Sequence, residues 1–118
     1  MIQDWNDPQY CLVAVKRDGL ALEYVKEQTP DICLEAVKDN GLALEWVKNQ
    51  TPEICLQAVK QYGFALKYVK EQTPLLIHYL KKYYILIYES FKKENRITIS
   101  QKEMEKFYNE NAHLLLTL

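Results

Sequence analysis

Apolar and polar positions recur along this chain with the period of a helix, in short segments separated by polar residues. At about 100° per residue, the segment 31–39 collects its apolar side chains on one arc and its charged side chains on the other. The segment 42–49 does the same, with Leu42, Ala43, Leu44, Trp46 and Val47 on the apolar arc. Each arc is about twice as wide as the roughly 100° stripe of an ordinary surface helix. The pattern predicts short helices that neighbours cover on two sides.

The same pattern occurs three times at a fixed spacing of 22 residues. The units 7–28, 29–50 and 51–72 each match the next one at 14 of 22 positions, and they share the skeleton P-x-x-C-L-x-A-V-K-x-x-G-[LF]-A-L-x-[YW]-V-K-x-Q. Self-similarity at a fixed period is typical of stacked supersecondary units. Because helices this short are not stable alone in water, we expect each copy to bury its apolar surface against the next copy.

Each unit carries the signals of a helix start, a stop and a second short helix. In the second unit, the Thr29 hydroxyl can cap a helix whose first position is Pro30, where the missing N–H costs nothing. Gly41 follows and can adopt the left-handed conformation that ends many helices. A second helix is then predicted from Leu42 to about Lys48. The equivalent caps, prolines and glycines are Asp7 and Thr51, Pro8 and Pro52, and Gly19 and Gly63.

A fourth unit begins in the same way and then departs from the pattern. Thr73 and Pro74 repeat the helix start, but Ile85 stands where a glycine would recur. Since the stop is lost, we expect one long helix that runs on to about Lys93.

A final helix is predicted after an extended connector at 95–99. Ser100 and Glu103 have the spacing of a capping box at a helix start. Apolar residues at helical spacing follow at Met104, Phe107, Tyr108 and Leu115. The apolar tail 113–118, HLLLTL, is expected to pack. At the other end of the chain, Ile2 and Trp5 are expected to form a partial cap over the first unit.

These signals predict an all-α fold, a small α-α solenoid of 22-residue helix-turn-helix repeats closed by a longer C-terminal helix and a final helix. We expect a single domain over residues 1–118. Its parts are an N-terminal cap (1–6), three repeats (7–72), a degenerate fourth unit with the long helix (73–94), and a C-terminal helix with its apolar tail (100–118).

Composition changes this picture little. Apolar residues make up 48% of the chain and charged residues 26%, which is ordinary for a folded domain. The net charge of −1 signals no general affinity for nucleic acid. No apolar run approaches the roughly 20 residues of a membrane span, and the first ten residues lack the basic-then-apolar order of a secretory signal. We expect a cytoplasmic protein, in a bacterial or a host cell, with no membrane partner.

Three cysteines, Cys11, Cys33 and Cys55, occupy equivalent positions of the repeat. Neighbouring helices lie roughly 8–10 Å apart, whereas a disulfide needs Cα atoms within about 7 Å. No Cys or His stands at ligand spacing beside any of them. We therefore expect three small buried hydrophobic side chains, with no metal and no cofactor.

The phrases AVKRDGLALEYVK, AVKDNGLALEWVK and AVKQYGFALKYVK resemble a short helical repeat, the domain of unknown function 4116 family. The resemblance covers about residues 7–72, a little over half of the chain. It rests on Ala36, Val37, Gly41, Ala43, Leu44 and Trp46 and on their equivalents. The family occurs in bacterial, phage and giant-virus proteins, often in tandem arrays, and has no known catalytic residue. The resemblance therefore implies a repeat fold and a non-enzymatic protein.

Two recurring features of the repeats are candidates for a binding surface. Lysines form rows at 16, 38, 60 and 82 and at 26, 48 and 70, and such rows could follow a phosphate backbone. Because residues 7–73 hold 8 basic and 10 acidic side chains, a solvated face with salt bridges is the favoured interpretation. Tyr24, Trp46 and Tyr68 share one position and could stack bases. Core packing with a polar tip in solvent is favoured for them.

The predicted long C-terminal helix carries tyrosines and aliphatic residues over more than half of its circumference. The last helix and the tail could cover this face. If they leave it open, it has the composition of an interaction site, because Tyr offers a large contact area and a polar group. On the repeats, Tyr62 and Lys67 make the polar arc of the third unit less acidic. The predicted partner-binding residues are Tyr62, Lys67, Tyr79, Tyr83, Tyr84, Tyr88, Lys38 and Lys60.

The sequence thus predicts a non-enzymatic protein–protein interaction module with a protein partner. A sharper version is a phage or mobile-element inhibitor that binds and blocks a host protein. The alternatives are a nucleic-acid-binding helical repeat that uses the lysine rows, and an immunity-type protein. A homodimer through the C-terminal helix would also cover the tyrosine-rich face. Neither His78 nor His113 lies in a catalytic or metal-binding motif, and no catalytic residue is predicted.

Overall fold

The computed structural model describes residues 3–115, apart from the side chain of Leu114. Every regular element in this range is a helix, and the predicted all-α class is confirmed. The expected cap residue Ile2 and the end of the tail, 116–118, lie outside the described residues. The chain divides into two compact units. We call residues 1–70 the repeat body and residues 71–118 the C-terminal body.

Three pairs of an α-helix and a 3-10 helix build the repeat body. They are α1 (Pro8–Arg17) with η1 (Gly19–Tyr24), α2 (Pro30–Asp39) with η2 (Gly41–Trp46), and α3 (Pro52–Gln61) with η3 (Gly63–Tyr68). Consecutive pairs are in contact through both kinds of helix, so the predicted stacking of helical repeats is confirmed. The second helix of each pair is a 3-10 helix that begins at the glycine and is shorter than the predicted span from Leu42 to Lys48.

The α-helices begin with the predicted side-chain caps. Thr29 Oγ1 accepts the Ile32 N–H at 3.2 Å, and Thr51 Oγ1 accepts the Ile54 N–H at 3.2 Å. The Asp7 carboxylate does the same for α1. A proline occupies the first turn in each case. These local bonds satisfy backbone donors that a helix start leaves without partners.

The glycines act differently from the prediction, because none of them has a positive φ. The residue that ends α2 is extended, with φ −146° and ψ 109°, and Gly41 opens the next helix. A Cβ on Gly41 would overlap the carbonyl oxygen of Ala58 in the following repeat. The Gly41 N–H also donates to Gln61 Oε1 of that repeat at 2.6 Å. Gly19 meets Ala36 in the same way. Glycine is therefore needed for the close approach of two backbones, not for a left-handed turn.

The apolar arcs supply the core of the repeat body. Its buried side chains are Cys11, Val15, Leu22, Val25, Ile32, Cys33, Ala36, Val37, Ala43, Leu44, Val47, Ile54, Cys55, Ala58, Val59, Ala65 and Leu66. Many of these positions are alanine, valine or cysteine, and such small side chains allow neighbouring helices to pack closely. Trp5, one of the two residues predicted to form a partial cap, is half-buried. Its ring centroid lies 5.2 Å from that of Tyr10 and 5.3 Å from that of Tyr24.

The C-terminal body contains α4 (Pro74–Tyr83), α5 (Ile85–Lys93) and α6 (Gln101–Leu115). The predicted single helix to Lys93 is therefore wrong, because the chain breaks at Tyr84, with φ −134° and ψ 54°. Aromatic and β-branched residues surround the break, and they lose side-chain freedom in a helix. α4 keeps the ten-residue length of the repeat helices, and each helix buries its own apolar face.

The start of α6 has the predicted capping box. The Ser100 N–H donates to Glu103 Oε2 at 2.7 Å, and the Glu103 N–H donates to Ser100 Oγ at 3.1 Å. The bonds from the Ser100 backbone and hydroxyl lower the pKa of the Glu103 carboxyl. Near its end, α6 kinks at Asn111, whose side-chain amide donates to the Phe107 carbonyl at 2.9 Å.

Candidate functional site

A glutamine at the end of each repeat clamps the following repeat. Gln50 Nε2 donates to the Tyr68 carbonyl at 2.7 Å, and Gln50 Oε1 accepts the Lys70 N–H at 2.9 Å. Gln28 makes the equivalent pair of bonds to backbone groups 18 and 20 residues ahead. The clamp satisfies polar groups at the end of a 3-10 helix that lack partners within it. The sequence analysis missed this role, although the glutamine closes the shared skeleton in every unit.

Gln72 makes the same clamp in the C-terminal body. Its Nε2 donates to the Arg96 carbonyl at 2.8 Å, and its Oε1 accepts the Thr98 N–H at 2.8 Å. The separations are 24 and 26 residues instead of 18 and 20. The connector that contains Arg96 and Thr98 therefore takes the place that the end of a 3-10 helix has in the repeats.

The three cysteines are free and buried, as predicted. Cys33 Sγ lies 3.5 Å from Gln28 Oε1, and Cys55 Sγ lies 3.4 Å from Gln50 Oε1. Burial raises the pKa of the Cys33 thiol, and it raises that of Cys55 to about 11. Since the thiolate is the reactive form of cysteine, these residues serve as packing groups.

The lysine rows do not present a uniform basic surface. Lys38 and Lys60 are exposed at equivalent positions of α2 and α3. Lys48 Nζ instead donates to the Lys26 carbonyl of the preceding repeat at 3.1 Å. Lys67, a predicted binding residue outside the rows, has its Nζ over the Tyr68 ring, 5.0 Å from the centroid. Two of these cations are thus directed to groups of the protein itself.

The shared aromatic position is not part of the core, which corrects the favoured interpretation. Trp46 and Tyr68 are half-buried, and Tyr24 is 56% exposed. The side chain at this position lies at the edge of a 3-10 helix, where only one side is covered. Elsewhere on the repeat body, Tyr62 is exposed, and its ring lies edge-on to that of Phe64 at 5.4 Å.

The break between α4 and α5 places three large apolar side chains at the surface. Tyr83 is 52% exposed, Ile85 47% and Leu86 83%. We call these three residues the break patch. The Tyr79 ring lies 4.5 Å from the Tyr83 ring, and Lys82 Nζ lies 5.3 Å from the Tyr83 centroid. Sequence reasoning missed Ile85 and Leu86 because it placed them inside a continuous helix.

The other predicted tyrosines of this region are more covered. Tyr79, Tyr84 and Tyr88 are half-buried. Burial, with Tyr84 and Tyr83 nearby, raises the pKa of the Tyr79 hydroxyl. Tyr88 lines a cavity within the C-terminal body and does not belong to the break patch. The structure therefore separates the predicted tyrosine surface into an exposed patch and a recessed group.

The repeats place the chain in a family. The sequence model of the domain of unknown function (DUF4116) matches residues 7–50 and 29–73, so each match covers two adjacent repeats. The chain belongs to the DUF4116 family. Each DUF4116 repeat seen here is one α-helix, one 3-10 helix that begins at a glycine, and one clamp glutamine, and in the first two repeats the glycine permits the close approach of the next repeat. No curated protein and no solved structure matches the chain.

The described part of the chain contains neither a metal-binding cluster nor a membrane-spanning helix. Between residues 3 and 115, no group of three or more His, Cys, Asp or Glu side chains is arranged to hold a metal ion. None of the helices in this part of the DUF4116 chain is both long and apolar enough to cross a bilayer.

His78 Nδ1 lies 3.3 Å from the Tyr108 hydroxyl. Burial, together with Lys82 and Lys81, lowers the pKa of the His78 imidazole.

Proposed function

We propose that this DUF4116 chain is a non-enzymatic protein-binding module that contacts a protein partner through the break patch. The observation that carries the proposal is the 83% exposure of Leu86 beside exposed Tyr83 and Ile85. A leucine left in water forgoes about 1.5–3 kcal/mol of burial free energy. Contiguous apolar surface of this kind is typical of protein interaction sites.

The chemistry around the patch indicates what the partner surface should offer. Tyr83 supplies a large ring with a polar tip, a combination enriched at interface hot spots. Lys81 and Lys82 lie in the last turn of α4, so the patch has a basic flank. The best complement is an apolar recess for Leu86 and Tyr83 with acidic groups at its rim.

The biological setting that we propose is inhibition in the cytoplasm of a bacterial or host cell. A small repeat protein without a catalytic motif can act by covering a surface of another protein. The occurrence of the family in bacterial, phage and giant-virus proteins favours a phage or mobile-element inhibitor that blocks a host protein. An immunity-type protein would use the same patch and differ only in the identity of its target.

Nucleic-acid binding along the lysine rows has less support. The Lys48 ammonium is bonded to the Lys26 carbonyl, and the Lys82 ammonium faces the Tyr83 ring. A phosphate contact would have to replace these interactions. The repeats also carry more acidic than basic side chains, which opposes a polyanion.

The proposal is tested by capture from a bacterial lysate with matched variants. The tagged wild-type chain is compared with Tyr83→Ser/Leu86→Ser, and the control is Val13→Ser/Leu20→Ser, which removes two exposed apolar side chains of the repeat body. Circular dichroism confirms that all three chains are folded. We expect one protein to be retained by the wild type and the control and lost from the patch variant.

Three results would contradict the proposal. In the first, the patch variant retains the same protein as the wild type. In the second, nuclease treatment abolishes capture, and Lys38→Gln/Lys48→Gln/Lys60→Gln reproduces the loss, which would indicate nucleic acid. In the third, light scattering at two concentrations shows a dimer that the patch variant abolishes, so that a second copy occupies the patch.

A further inference from the structure

A cavity of about 550 Å³ opens within the C-terminal body. Its walls come from α4, α5, the connector and the first half of α6, and they include Ile77, Tyr88, Ile97, Met104 and Tyr108. Cavities of roughly 300–1,000 Å³ are the usual size for small-molecule sites. The recessed tyrosine Tyr88 lies in this wall and is not part of the break patch.

Two lysines converge on one ring of this cavity. Lys81 Nζ of α4 lies 5.7 Å from the Tyr88 centroid, and Lys92 Nζ of α5 lies 6.0 Å from it. Both lysines belong to the cavity wall. In the part of the chain that the structure describes, neither has a carboxylate within 4.0 Å. Both ammonium groups thus approach the same ring, and an anionic group beside Tyr88 would be attracted by the positive charge of both.

The acidic residue of the wall, Glu105, does not neutralise this pair. Its carboxylate accepts a hydrogen bond from Gln101 Nε2, one turn earlier on α6, at 3.3 Å. The side-chain amides of Asn95 and Gln101 add neutral donors to the wall. The polar part of the cavity is thus rich in donors and carries a net positive charge.

The rest of the wall is apolar and shaped by fixed groups. Ile97, Ile99 and Met104 are half-buried and line the cavity. The Tyr108 hydroxyl is held at 3.3 Å from His78 Nδ1. Burial, and after it nearby Tyr88, raises the pKa of Tyr108, so the Tyr108 hydroxyl stays neutral and can donate. One face of a ligand would meet aliphatic side chains and the other would meet donors.

We propose that this cavity binds a small amphipathic anion. A carboxylate, sulfonate or phosphate group lies between Lys81 and Lys92, and an aromatic or aliphatic body packs against Tyr88 and Met104. The positive pair supplies charge-assisted contacts, and the aliphatic wall supplies burial. The inference does not depend on the break patch or on the identity of a protein partner.

The test uses 8-anilinonaphthalene-1-sulfonate, a fluorescent probe with one anionic group and an aromatic body. Titration of the full chain should give saturable binding of one probe per chain. Lys81→Gln/Lys92→Gln should raise the probe Kd about tenfold or more, because each lysine supplies a charge-assisted contact. Lys16→Gln/Lys38→Gln removes the same charge from the repeat body and should leave the Kd unchanged.

Two further comparisons separate this site from other apolar surface. Leu86→Ser removes the most exposed side chain of the break patch and should not alter probe affinity. The neutral relative N-phenyl-1-naphthylamine should bind the wild type more weakly than the anionic probe and should not respond to the lysine variants. The proposal fails if binding does not saturate, if the Lys81/Lys92 variant binds like the wild type, or if Leu86→Ser or the repeat-body control loses as much affinity.

Discussion

At the residue scale, Gly41 shows how one missing side chain can set the distance between two repeats. Its backbone N–H donates to Gln61 of the next repeat, and its Cα lies against the Ala58 carbonyl. Its φ is not positive, so the backbone conformation itself would accept other residues. A side chain at this position is excluded by the backbone of the next repeat.

We predict that Gly41→Ala destabilises the protein. The added Cβ overlaps backbone of the next repeat, and overpacking of this kind costs about 1–3 kcal/mol or more. The free energy of unfolding, measured in urea by circular dichroism, should fall by that amount. Lys38→Ala, on the exposed side of α2, should change it by less than about 0.5 kcal/mol.

The opposite sign would refute the close-approach explanation. A Gly→Ala change at a position with compatible backbone and free space stabilises a protein by about 0.4–1 kcal/mol, because it restricts the unfolded chain. A stabilised Gly41→Ala variant would mean that the two repeats can separate without cost.

At the element scale, each repeat is a pair of short helices that cannot stand alone. A ten-residue helix is marginal in water, and the 3-10 helices are only six residues long. Side-chain caps hold the α-helix starts, while glutamine clamps hold the ends of the 3-10 helices of the following repeat. The two kinds of bond differ in reach, because the cap is local and the clamp crosses between repeats.

We predict that Gln50→Met weakens the joint between the second and third repeats. Methionine keeps the volume of the side chain but leaves the Tyr68 carbonyl and the Lys70 N–H without their partner. The bond to the Tyr68 carbonyl is part-buried and the bond to the Lys70 N–H is exposed, so the free energy of unfolding should fall by about 0.5–1.5 kcal/mol, and chemical unfolding should show the decrease. Gln57→Met on α3 is the matched control and should cost much less. Equal effects of the two variants would show that the clamp contributes nothing specific.

At the scale of the whole molecule, equivalent contacts recur in the repeat body at a shift of 22 residues along the sequence. Gly19 contacts the Ala36 carbonyl as Gly41 contacts the Ala58 carbonyl. Gln28 accepts the Lys48 N–H of the next repeat as Gln50 accepts the Lys70 N–H. The free energy of unfolding of such an array is close to the sum of one contribution from each repeat and one from each interface between neighbouring repeats. An array of this kind should tolerate the loss of one whole repeat.

We predict that excision of residues 29–50 yields a shorter chain that is still folded and cooperative. Gln28 then precedes Thr51, and Gly19 faces Ala58 with Gln61 in place to accept its N–H. One interface is lost, so the Tm should fall, by about 4–8 °C for each kcal/mol in a domain of this size. Thermal unfolding followed by circular dichroism measures it.

The control for this excision removes half a repeat. Deletion of residues 40–50 leaves α2 in place but removes η2 and the Gln50 clamp. This variant should not unfold cooperatively. If both deletions unfold the chain, the repeats are not interchangeable units, and the additive description of the array is wrong.

The sequence by itself determined the features that depend on neighbours in the chain. The helix starts at Thr29 and Thr51, the capping box at Ser100 and the buried cysteine row could all be predicted, because each rests on a short-range bond or on helical periodicity. The repeat and its stacking followed as well, since no single unit can bury its apolar arc. These predictions needed no knowledge of which backbone passes nearby.

Only the tertiary structure decided the features that depend on distant neighbours. Gly19 and Gly41 are explained by a carbonyl in the next repeat, and the glutamine clamps reach backbone groups at least 18 residues away. The chain breaks at Tyr84 and leaves Leu86 exposed in α5, although the loss of the glycine predicted a continuous helix. Local patterns specify which segments are helical, but packing specifies where a helix breaks and which of its side chains remain in contact with solvent.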